Sequence, residues 1–113
     1  MKKLKPLLPT LKEKKRYLAF EIISKNPIGN FEAVSSTIWQ KSIQFLGELG
    51  SARAGINIIK DTFANQKGII KVNNKHVDEL RASLCLIDQI QNQEVIVRSL
   101  GVSGILNKTK QYM

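Results

Sequence analysis

One cysteine and one histidine are all the chain has of the residues that build most small catalytic and metal sites. Cys85 has no second thiol for an internal disulfide, no multi-cysteine zinc cage can be assembled, and the lone cysteine fits a reducing compartment. No H-x-x-x-H, C-x-x-C or paired-acid motif occurs, so neither nucleophilic nor metal-assisted catalysis is legible in the sequence. The glycines fall in neither common phosphate-loop spacing and read as turn and cap residues. No apolar run approaches the ~20 residues of a membrane span. The basic start Met1-Lys-Lys-Leu-Lys5 leads only to two leucines between Pro6 and Pro9, so no export signal is expected. Acidic residues are scarce, nine against eighteen Lys and Arg, giving a net charge of +9. These absences leave a soluble, cytoplasmic, non-membrane domain whose natural partner is a polyanion.

The cations are unevenly spread. Eight of the eighteen lie within residues 1–25, opposed only by Glu13 and Glu21. Lys12-Glu-Lys-Lys-Arg16 runs directly into Tyr17-Leu-Ala-Phe-Glu-Ile-Ile23, where Leu18, Phe20 and Ile22 alternate with Tyr17, Ala19 and Glu21. A period of two marks a strand with one face in the core, here entered through a basic cluster. Clustered cations release condensed counterions on meeting phosphates, which makes a nucleic acid the favoured partner. Residues 1–11, with Pro6, Pro9 and alternating Lys and Leu, read as an extended arm, and residues 12–113 as a single domain.

Asn30 is placed to cap a helix over Phe31–Leu49 closed by Gly50, with Trp39 as a packing residue beside its apolar face. Ser51–Gly55 reads as a flexible link. Ile56–Ala64 and Ile69–Val72 form a hairpin through Asn65-Gln-Lys-Gly68. Asn73 or Asn74 caps a second helix whose Val77, Leu80, Leu84, Ile87 and Gln91 follow three-four spacing, with His76 as a surface or capping residue and Cys85 as a small core residue. Glu94–Leu100 is the fourth strand, and Ser103 caps a short C-terminal helix. The order strand-helix-strand-strand-helix-strand predicts an α+β, ferredoxin-like or RRM-like two-layer sandwich with a four-stranded antiparallel sheet and both helices on one face.

RNA-recognition motifs of this topology stack bases on aromatics of the third strand. Lys67-Gly-Ile-Ile-Lys-Val72 has the basic residue and the glycine, but Ile69 and Lys71 stand where aromatics belong. Base stacking is therefore not expected, and cations at strand ends and loops would grip backbone instead. Two rival readings share the topology, a stand-alone RNA-binding module and a small-ligand regulatory domain. The first lacks its sheet aromatics, and the second lacks the neutral or acidic balance and polar pocket it calls for.

Leu8-Pro-Thr-Leu-Lys-Glu-Lys-Lys-Arg-Tyr17, Leu46-Gly-Glu-Leu-Gly50, Gly68-Ile-Ile-Lys-Val-Asn73, Arg81-Ala-Ser-Leu84, Val97-Arg98 and Gly101-Val-Ser-Gly104, in that order, resemble the eukaryotic and archaeal ribonuclease P protein component 2 family, archaeal relatives of the Pop-five subunit. The resemblance implies a subunit of an RNA-based endoribonuclease that removes the 5′ leader of precursor tRNA, with catalysis by the RNA and its magnesium ions and no catalytic residue or cofactor in the protein. It implies ribonuclease P RNA, precursor tRNA, the TIM-barrel-like component 3 and other ribonuclease P proteins as partners, with self-association in the assembly allowed. Carried onto this chain, it points to Lys12, Lys14, Lys15, Arg16, Arg81, Arg98, Lys108 and Lys110 for RNA phosphates. Ser103 and Gly104 would set a helix N-terminus near phosphate, and Tyr17, Ala19 and Ile69 would face a protein partner.

Overall fold

The computed structural model describes residues 14–113, so Lys12 and the expected arm over residues 1–11 lie outside the described residues. The first strand, β1, spans Lys15–Ser24. As its alternation requires, Leu18, Phe20 and Ile22 are buried in the main core. Asn30 caps α1 (Phe31–Ala54) by accepting the Ala33 N–H at 3.3 Å, and Val34 and Ile38 turn inward from it. The hairpin strands are β2 (Asn57–Ala64) and β3 (Lys67–Asn73), followed by α2 (Val77–Cys85), a two-residue β4 (Gln89–Ile90), β5 (Gln93–Ser103) and the single turn α3 (Leu106–Thr109). All strand pairs are antiparallel, in the order β2-β3-β1-β5-β4. Val34, Ile38, Leu80 and Leu84 of the two helices share one core with Leu18, Ile70, Val72 and Val97, so both helices cover the same sheet face.

Several boundaries differ from the sequence reading. Helix α1 does not stop at Gly50. It breaks at Gly47 (φ 77°, ψ 169°), resumes, and ends at Gly55 in the left-handed conformation (φ 62°, ψ 40°), so Ser51–Ala54 is helix and not a flexible link. The hairpin turns at Asn65-Gln66, both at positive φ. Gly68 lies within β3 opposite Phe20, where a Cβ would sit 2.9 Å from the Phe20 ring. Helix α2 ends at Cys85, not Gln91. Ile87 and Ile90 stay buried by other means, because the chain leaves the helix and makes a second tight turn at Gln91-Asn92 that adds a fifth strand. Cys85, at the last helical position and off the Leu80-Leu84 stripe, is exposed and not a core residue. Neither Asn73 nor Asn74 caps α2 with its side chain.

The second face of the sheet is not open. After α3 the chain makes a 3-10 turn over Lys110–Tyr112 and lies across this face. The Tyr112 ring sits where a Cβ on Gly101 would be, 2.6 Å away. Lys67 Nζ donates to the Met113 carbonyl at 3.0 Å. Ala19, paired to both Ile69 and Gly101, is fully buried, as is Ile69, and both lie outside the main core cluster.

Candidate nucleic-acid interface

Antiparallel pairing gathers at one end of the sheet what the sequence scatters. Lys15 stands opposite Asn73, Arg16 opposite Val72, and Tyr17 opposite both Lys71 and Ser103. The start of β1 thus lies beside the finishing ends of β3 and β5. Helix α1 ends at the same place, because Gly55 closes it with its N–H donating to the Ala52 carbonyl at 3.3 Å. A side chain at Gly55 would press on the Lys15 ammonium and the Asn73 amide oxygen, each 3.1 Å from its Cβ position. That ammonium donates to Asn73 Oδ1, and Asn73 Nδ2 donates to the Arg53 carbonyl at 2.5 Å. The Asn74 N–H donates to the Lys14 carbonyl at 2.7 Å. Asn73, read from sequence as a cap, instead ties β1, β3 and α1 together.

This junction places Lys14, Lys15 and Arg16 at the same end of the sheet as Arg53, Lys71 and Lys75. Among the described residues the ion pairs are His76–Glu79, Arg81–Asp78 and Arg98–Glu21, so none of the six cations is paired. Like charges gathered without an acidic partner among the described residues raise the local potential and attract a polyanion. Sequence reasoning misses Arg53, Lys71 and Lys75 because each is separated from the β1 cluster by dozens of residues. The available signal is register, since pairing β1 against β3 places Lys71 beside Tyr17.

The remaining site residues fall into different settings. Arg16 lies over Gly104, with a guanidinium nitrogen 3.1 Å from the Cβ position there, so Ser103 and Gly104 do join the cationic end. The Ser103 hydroxyl, however, accepts the Ile105 N–H at 3.2 Å, and the helix that follows is only Leu106–Thr109, too short for an appreciable dipole. Arg98 is neutralised by Glu21 at 2.5 Å, and Arg81 lies 4.0 Å from Asp78. Lys108 and Lys110 are exposed on the C-terminal turns. Of the residues expected to meet a protein, Ala19 and Ile69 lie beneath the C-terminal segment, while Tyr17 is partly exposed with its carbonyl accepting the Thr109 hydroxyl at 3.4 Å. A partner reaches Ala19 or Ile69 only if that segment lifts.

Among the described residues no three His, Cys, Asp or Glu side chains converge, and no helix is long and apolar enough to cross a membrane. What results is a basic two-layer α+β domain able to hold a polyanion along one end of its sheet. Comparison with known proteins narrows that class. The sequence model of the Rpp14/Pop5 family matches residues 16–113. The chain is 43% identical over 107 residues to ribonuclease P protein component 2 of Thermococcus kodakarensis, covering 95% of this chain and 88% of that protein. It is 44% identical over the same length, with the same coverage, to the protein of that name from Thermococcus gammatolerans. A chain in the cryo-electron microscopy structure of yeast ribonuclease MRP has the same fold, with a TM-score of 0.51, 14% identity, and coverage of 89% of this chain and 86% of that one. The chain belongs to the Rpp14/Pop5 family.

Proposed function

We infer that this chain is the component 2 protein subunit of ribonuclease P and supports the catalytic RNA as it removes the 5′ leader from precursor tRNA in the cytoplasm. The observation that carries this reading is the near full-length match to proteins of that name, at 43% identity over 95% of the chain. The geometry supports it. The cations at the start of β1 and the ends of α1 and β3, none of them in an ion pair among the described residues, suit phosphate contacts, which position an RNA without reading its sequence. The C-terminal segment over the sheet leaves no open platform for stacked bases, which disfavours a stand-alone RNA-recognition module.

In this reading the RNA holds the magnesium ions and does the chemistry. The protein neutralises phosphates that must lie close together and so stabilises the folded RNA, an effect greatest at low magnesium. Component 3 and other ribonuclease P proteins are its protein partners. The test is cleavage of precursor tRNA by an archaeal ribonuclease P RNA with component 3, in the presence and absence of this chain. Stimulation that requires both proteins is expected. A folded chain that leaves the rate unchanged would refute the assignment.

A further inference from the structure

The opposite end of the sheet has different chemistry. The Ile22 N–H donates to the Gln66 carbonyl on the β3 side of β1, at 2.8 Å, so Glu21 and Ile23 direct their backbone groups toward β5. Their partners there, Arg98 and Ile96, point back. Val95, Val97 and Ser99 must therefore point their N–H and C=O groups away from the sheet. Val95 finds a partner, donating to the Asp88 carbonyl at 2.9 Å, but β4 pairs only with Gln93 and Glu94. Among the described residues no strand pairs with β5 beyond that point. Val97 and Ser99 form an open edge with no proline, the kind that accepts an added strand.

A second observation falls at the same edge. Ile23 and Ile96, paired across β1 and β5, are 46% and 62% exposed. They line a groove of about 430 Å³ with Lys25, Asp88 and Glu94. Two carboxylates against one ammonium disfavour a phosphate backbone here and favour a cationic side chain.

We propose that the outer edge of β5 at Val97–Ser99 receives an extended segment of a protein partner, which adds a sixth strand, seats an apolar side chain on Ile23 and Ile96, and places a basic residue beside Asp88 and Glu94. The proposal rests on the reading of the chain as a subunit with protein partners, and it divides the molecule into an RNA end and a protein end. The backbone of the incoming strand supplies affinity, and the isoleucine pair and the acidic groove set its register.

Component 3 is the probe. Amide hydrogen exchange of the chain alone and bound to component 3 should show Val97 and Ser99 exchanging freely when alone and protected in the complex. Ser99→Pro removes one outward N–H without touching the β1 ladder and should weaken the complex about tenfold or more, while Ser99→Thr should bind like the unaltered chain. Ile96→Asp, at an exposed side chain that leaves the backbone intact, should weaken it similarly and covers the case in which the proline variant does not fold. Tight binding with the edge amides still exchanging and Ile96→Asp without effect would overturn strand addition alone. Edge amides already protected in the free chain would also overturn it, showing that the chain's own residues fill the edge. Absence of any binding by the unaltered chain would overturn the partner reading and the strand addition together.

Discussion

Removing charge from the cationic end, with the fold left intact, isolates its contribution to RNA binding. Lys15 is a poor choice for this, because its ammonium bonds Asn73 and its loss would disturb the junction that closes α1. Lys14, Arg16 and Lys75 are better, since none is ion-paired among the described residues. If each neutralises one phosphate, the triple change to Ala reduces the slope of log K against log salt by about 2 to 3, at roughly 0.7 per contact for single strands and 0.9 for duplex. Between about 50 and 200 mM salt, a fourfold change, those three contacts cost the unaltered chain roughly 20- to 40-fold in affinity that the variant no longer loses. The assay is a titration of ribonuclease P RNA at several salt concentrations, with circular dichroism to show that the variant is folded. Arg98→Ala, at a cation already paired to Glu21, should leave the slope within about 0.5 of its original value. An unchanged slope in the triple variant, or a large change in Arg98→Ala, would refute the assignment of phosphate binding to this end.

Three further expectations concern the frame that holds the cations. At Gly47, with φ 77° and ψ 169°, nothing among the described residues lies within 4 Å of where a Cβ would sit, so Gly47→Ala should cost about 1–3 kcal/mol in urea unfolding through backbone strain; no loss would show that the break in α1 is not enforced. Among the described residues Ser51 Oγ is buried without a partner, and the residue four back, whose carbonyl a helical serine would use, is the non-helical Gly47. Ser51→Ala should therefore be neutral or stabilising by about 1 kcal/mol, and a clear destabilisation would mean that the hydroxyl has a partner. Deleting residues 105–113 should uncover Ala19 and Ile69, lower stability by about 2–3 kcal/mol and create a site for an apolar fluorescent dye; an unchanged midpoint with no dye binding would contradict the covering role of the segment.

The elements whose signals are local are legible in the sequence. The alternation of Leu18, Phe20 and Ile22, the Asn30 cap and the Leu80-Leu84 stripe all act within a few residues, and each forms as its pattern requires. Sequence and structure part where the deciding contact is distant. The pattern of α2 runs past its true end because Ile87 and Ile90 continue to supply buried apolar positions, although they do so from a loop and a strand. Gly50 looks a better stop than Gly55 because the sequence does not reveal that Gly47 can break a helix and let it restart. The burial of Ala19 and Ile69 depends on a C-terminal segment that folds back across the sheet, and only Gly101 beneath the Tyr112 ring hints at that approach. For the candidate site, β1 announces half of its cations. The other half, Arg53, Lys71 and Lys75, becomes visible only through register and the placement of the α1 terminus.

The two ends of the sheet can be compared in one measurement on the assembled particle. A photoreactive benzoylphenylalanine is placed at position 75 in one preparation and at position 96 in another. Each chain is assembled with ribonuclease P RNA and component 3, and the crosslinked products are identified. Crosslinks to RNA from position 75, and to protein but not RNA from position 96, are the predicted result. RNA captured from position 96, with none from position 75, would contradict the claim that the cationic end of this sheet is the surface that holds the RNA.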